Sequence, residues 1–174
     1  MAGQILKTFQ FYGYALIQIL IEPKRFFSEL PDNASMIKSL GFCVLCGIFY
    51  TGAGLLTFNY DFPIRMGAQF FLTSLAMAVI SSFISYAFMT LAMENKTGFG
   101  MIFSIHAFSS GIMLLISWVS FLFWVAELWK WWLVYIGFRS AGRMSGATAG
   151  FVIFMTMAVH FFLFFYLYPA FFRP

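Results

Sequence analysis

The chain has 174 residues, of which 62% are apolar and only 9% charged, and its formal net charge is +4. Uncharged stretches of about twenty residues alternate with short charged breaks, a pattern that needs lipid and excludes an ordinary water-soluble core. The bases are spread among the breaks rather than clustered, so the positive excess reads as membrane orientation and headgroup attraction, not nucleic-acid binding.

Residues 1–35 read as an amphipathic membrane-surface segment and residues 36–174 as a five-helix transmembrane domain. In the first, Ile5, Phe9, Tyr12, Leu16 and Ile19 recur at steps of three and four and share one helical face. Gln4, Lys7, Gln10 and Gln18 interrupt the apolar run, which suits a helix lying in the interface. No A-x-A-like cleavage site marks residues 1–22 as a secretory signal. Pro23 is expected to end this helix, because the residue before a proline avoids helical angles. In Lys24-Arg25-Phe26-Phe27 the two cations are expected at phosphate level, with both rings dipping into lipid. Pro31-Asp32-Asn33 makes a turn, and Asn33 or Ser35 caps the next helix.

The expected spans cover Ile37–Phe58, Arg65–Met93, Phe99–Trp118, Phe121–Phe138 and Ala147–Tyr168, with Lys38 snorkelling at the first and Pro169 closing the last. The third and fourth divide near Val119; the alternative is one long span followed by a half-span. Charge favours the division. With the N-terminus cytoplasmic, Lys7, Lys24, Arg25, Lys38, Lys96, Arg139 and Arg143 lie inside, and Arg65, Lys130 and Arg173 lie on the opposite side. That is a positive-inside bias of seven against three, which merging the two spans weakens to six against four. A bacterial inner membrane is the expected location. No internal repeat supports an inverted-repeat transporter.

Few side chains inside the spans carry chemistry. Cys43 and Cys46 form a C-x-x-C, but in an apolar helix, where burial works against a reactive thiolate. His106 and His160 are the only histidines, and an ionisable group at such a depth is a functional candidate. Their depths differ by about 9 Å at the ~1.5 Å helical rise, too much for two ligands of one haem iron. A neutral histidine bonded to a neighbouring helix is the simpler expectation. Glu127 is the acid placed within a span, with Lys130 three residues on and Trp124, Trp129, Trp131 and Trp132 around it. Tryptophans of this kind mark the membrane–water boundary, so Glu127 and Lys130 are expected to reach the outer interface. Gly142, Gly146 and Gly150 recur at steps of four and, if helical, form one close-packing face. No phosphate-cradling loop, catalytic triad or carboxylate pair is present in the sequence.

Two passages resemble the Yip1 family in its bacterial branch. One is Glu22-Pro23-Lys24-Arg25-Phe26-Phe27-Ser28-Glu29-Leu30, just before the first span. The other is Trp132-Leu133-Val134-Tyr135-Ile136-Gly137-Phe138 with Met144-Ser145-Gly146-Ala147-Thr148-Ala149, between the fourth and fifth. The resemblance implies five spans from about Glu22 to the C-terminus. The acidic D-L-x-G-P-type signature of eukaryotic members is absent from the sequence, and so is a proline in Phe108-Ser109-Ser110-Gly111. Rab-binding and vesicle-budding roles are therefore not carried over.

The expected function is that of a non-enzymatic adaptor, membrane-organising element or accessory subunit. It would work with the bilayer and with other integral membrane proteins, as an oligomer or complex subunit, without cofactor or metal. A small transporter or channel using His106, Glu127 and His160 is the alternative; a haem or metal redox subunit ranks behind it.

Overall fold

The computed structural model describes residues 2–31, 36–93 and 97–172, and side chains within residues 10–31, 36–91, 97–163 and 165. The elements are α1 (Ala2–Ile21), α2 (Pro23–Ser28), α3 (Met36–Thr57), α4 (Pro63–Met93), α5 (Phe99–Ile116), a 3-10 turn (Ser120–Leu122), α6 (Phe123–Ser140) and α7 (Gly146–Phe172). No strand occurs among the described residues. Five helices, α3 to α7, are long and apolar enough to cross a membrane, so the chain is a multi-pass membrane protein. A shorter apolar helix precedes them.

The division near Val119 is real. The amides of Val119 and Leu122 bond to the carbonyls of Ile116 and Val119, and this tight turn lets α6 start at Phe123. Pro63 opens α4 at its first helical position, where the missing amide costs nothing. Pro23 both ends α1 and opens α2 for the same reason. Pro169 does not close α7, which runs on to Phe172. A proline in the last turns removes a single helical bond, close to the end, where carbonyls lose their partners anyway. The proposed cap residues Asn33 and Ser35 lie outside the described residues.

Helix α5 is the centre. Its residues 101–112 are buried without interruption, because α3, α4 and α6 all pack on it. Two glycines let the neighbours approach closely. A Cβ at Gly111 would lie 2.6 Å from Phe42 Cε1 of α3, and one at Gly137 of α6 would lie 2.5 Å from Ile105 Cγ2. Ser39 of α3 donates to Ser104 of α5 at 2.7 Å, joining the helices near their N-terminal ends. Helix α7 is peripheral. It contacts α4 and α6, buries Ala149, Val152 and Thr156, and leaves Phe151, Phe154, Phe161 and Phe165 exposed.

The expected close-packing face of Gly142, Gly146 and Gly150 does not form. Gly142 lies in the turn after α6, and Gly146 begins α7 against the Arg139 guanidinium and Tyr135 hydroxyl. Gly150 points into open space. The periodicity fails because the turn at residues 141–145 breaks the helix on which it depended. In that turn Arg143 takes a left-handed conformation with φ 51°, and the Met144 amide folds back onto the Phe138 carbonyl.

The N-terminal pair is fastened to the bundle. On α1, Ala15 and Ile19 are fully buried, with Tyr12 and Leu16 packed beside them, while Tyr14, Ile17 and Ile21 remain exposed. The side chains of Ile5 and Phe9, expected on the same face, lie outside those described. Phe26 and Phe27 turn inward, contrary to the expectation of rings in lipid: they are 5% and 0% exposed. The Phe26 ring stands 4.9 Å from that of Phe108 in α5, edge to face. The aromatic surface of α5 and Phe42 outcompetes lipid, because rings gain edge-to-face contacts there beyond their area.

Candidate functional site

Lys24 and Arg25 are exposed on α2, as a membrane-surface role requires. Arg25 is not a free cation, however. Its guanidinium bonds to Glu29 at 2.8 Å and Glu22 at 3.2 Å, and Gln18 of α1 donates to the other Glu29 oxygen at 3.2 Å. The Arg25 hydrogen bond, with help from Gln18, holds the Glu29 carboxyl below its usual range. Of the two α2 cations, Arg25 is thus neutralised by neighbouring carboxylates.

The polar groups inside the bundle converge, although they come from four helices. On α6, Glu127, Lys130 and Trp131 share one face at spacings of three and four. One Glu127 carboxylate oxygen accepts from Lys130 Nζ and, at 2.8 Å, from Trp131 Nε1. Lys130 Nζ also lies 4.6 Å from the centre of the Trp131 ring. The Lys130 side chain is 9% exposed and that of Glu127 28%. Lys130 therefore does not snorkel outward. An inward ion pair that also satisfies an indole N–H holds both charges on the bundle side of α6. Trp124, Trp129 and Trp132 point outward as expected of boundary residues, whereas Trp131 is buried.

The Trp131 ring stands between the two histidines, 6.4 Å from the His106 ring and 6.2 Å from that of His160. His106 Nε2 is 2.9 Å from Ser85 Oγ, and Ser85 is 3.0 Å from Thr156 Oγ1. Thr156 donates to the Val152 carbonyl at 2.7 Å. One hydrogen per hydroxyl then orders the chain: His106 N–H donates to Ser85, Ser85 to Thr156, and Thr156 to backbone. His160 Nδ1 donates to the Thr156 carbonyl at 2.8 Å, and its Nε2 meets Ser81 Oγ at 3.1 Å. The two histidines thus belong to one network through α4, α5 and α7, joined at Thr156. They do not face one metal position, because both Nε2 atoms are held by different serines.

Cys43 and Cys46 are free and buried, and Cys46 Sγ packs against Gly111. Among the described residues no group of three His, Cys, Asp or Glu side chains is arranged to hold a metal. Ser81, Ser85 and Thr156 escaped the sequence reading. Ser81 and Ser85 share a face of α4 at a spacing of four, as Thr156 and His160 do on α7, and those matched pairs were the available signal.

Above the network is a cavity of about 440 Å³ lined from α3, α4, α5 and α6. Glu127 and Lys130 reach it directly and His160 abuts it through Ser81, while His106, bonded to Ser85, is not in its lining. Comparisons with known protein families, curated proteins and solved structures give no match.

Proposed function

We propose that this multi-pass protein is non-enzymatic and serves as an adaptor, membrane-organising element or accessory subunit among other membrane proteins. The observation that carries this reading is the saturation of the intramembrane network. His160 Nδ1 and the hydroxyls of Ser85 and Thr156 are committed to helix–helix or backbone bonds. Groups so committed hold α4, α5 and α7 together rather than wait for a substrate. The docked α1–α2 pair supports the same role, because it gives the bundle a rigid charged surface.

The test is isolation in mild detergent followed by reconstitution alone. A stoichiometric membrane partner or a stable oligomer is expected, lost when Ser85→Ala and Thr156→Val loosen the bundle. Solute or proton flux by the isolated chain in liposomes would overturn the reading in favour of the small transporter. That second reading draws on the cavity at Glu127 and Lys130 and on the histidines beneath it.

A further inference from the structure

We infer that the cavity between α4 and α6 is a binding site for a net-uncharged amphiphile, an apolar chain with an oxygen-rich, hydrogen-bond-accepting head, such as a monoacylglycerol. This goes beyond the adaptor reading and does not depend on it.

The volume, about 440 Å³, lies within the range of small-molecule sites, roughly 300–1,000 Å³. The wall from α4 is unusual for a membrane helix, since Gln69, Thr73 and Ser74 all turn toward the cavity. Polar side chains inside a bilayer are costly unless they meet a partner or line a polar space. Ser74 and Ser81 donate to carbonyls of their own helix. Ser117 does not: its hydroxyl is buried, the residue is 7% exposed, and among the described residues it has no hydrogen-bond partner although it lines the cavity. A buried hydroxyl without a bond costs roughly 1–3 kcal/mol, a deficit that a ligand oxygen removes.

Charge sets the class of head. The charged residues of the lining are Glu127 and Lys130, already paired with each other. A net-charged head would leave one charge unmatched in a low-dielectric site, whereas a neutral one disturbs nothing. Hydrogen-bond type narrows it further. Lys130 spends one of its three N–H donors on Glu127, and Gln69, Thr73 and Ser117 each bring another donor. The remaining Lys130 N–H groups call for acceptors, while the hydroxyls and the Gln69 carboxamide can both donate and accept, so a head with ester and hydroxyl oxygens suits the lining. The exposed part of the lining is Gln69, Thr73 and Met77 of α4 with Phe123 of α6, which puts the mouth between those helices. There Phe70, Met77 and Phe123 give the chain an apolar exit.

The experiment titrates the full chain in mild detergent with monoolein and counts bound molecules by native mass spectrometry. Saturation at one equivalent is expected, with oleate, which has the same chain and a charged head, binding about tenfold or more weakly. Gln69→Leu, at an exposed position that folding tolerates, and Ser117→Leu, which fills the cavity, should each weaken monoolein about fivefold or more while the helical circular dichroism stays unchanged. Non-saturating uptake, equal binding of monoolein and oleate, or undiminished binding by both folded variants would each overturn the assignment. The readout needs no protein partner, so failure to find one does not bear on it.

Discussion

Gly111→Ala should destabilise the bundle, and Gly150→Ala should not. The new methyl at position 111 would lie 2.6 and 2.8 Å from Phe42 Cε1 and Cδ1 and 3.3 Å from Cys46 Sγ. Carbon contacts prefer about 3.5–4.0 Å, so the ring must move by about 1 Å. It has little room, because Phe108 and Tyr12 stand 5.1 and 6.1 Å from it, centroid to centroid. Overpacking of this kind costs about 1–3 kcal/mol. Alanine also gains up to about 1 kcal/mol over glycine in a helix, at both positions. At Gly150 nothing lies within 4 Å, so only that gain applies. The propensity terms cancel in the difference, which leaves Gly111→Ala less stable than Gly150→Ala by about 2 kcal/mol, the cost of the clash itself. The assay is reversible unfolding in mixed micelles with added sodium dodecyl sulfate. Phe42→Leu in the Gly111→Ala background should recover part of the loss, giving a coupling of about 1 kcal/mol in a double-mutant cycle. Equal stability of the two alanine variants, or strict additivity with Phe42→Leu, would refute the claim that α3 and α5 are wedged together at this point.

Phe27→Ala, at a fully buried position, should cost about 3–5 kcal/mol and open residues 2–30 to protease before the spans unfold, as limited proteolysis in micelles would report. Reporter fusions after Thr97 and Arg173 should fall on opposite sides of the membrane, the first cytoplasmic; a shared side would contradict the five-span orientation. Glu29 links α2 to α1 as a carboxylate, and its folded pKa lies below the unfolded one through Arg25 and Gln18. Its stabilising contribution is therefore present above the unfolded carboxylate range and is lost as pH falls through the lowered value. Protease sensitivity of the N-terminal pair should rise in acid for the natural chain, and Glu29→Gln should flatten that dependence.

The spans were legible because lipid imposes length, and charged breaks mark where it ends. The expected ends of α3 and α4 fall within a residue or two of the observed ones, and the short connection near Val119 followed from charge balance alone. The centrality of α5 was not legible. A helix wrapped on all sides and one facing lipid are both apolar around their circumference, so no period separates α5 from α7. The glycines misled for a related reason. Spacing gives a face only where the helix is continuous, and the turn at residues 141–145 intervenes, whereas Gly111 and Gly137 stand alone in the sequence and match only across helices. Counting helical rise set His106 and His160 at different depths, yet both rings flank Trp131. It missed that serine and threonine hydroxyls on α4 and α7 would join them, because hydrogen bonds between helices leave no periodic trace on any single one.

The burial of Phe26 and Phe27 also constrains the order of assembly. Their seat is built from Phe108 of α5 and, above all, from α6, whose last residue, Ser140, follows α2 by more than a hundred positions. At a synthesis rate of about 5–20 residues per second, the N-terminal pair leaves the ribosome on the order of ten seconds before that seat exists. During that interval two phenylalanines and the apolar face of α1 have the membrane surface as their nearest apolar medium. Interface residence would then be a waiting stage of biogenesis, and docking onto the finished bundle would have to follow completion of the fourth span.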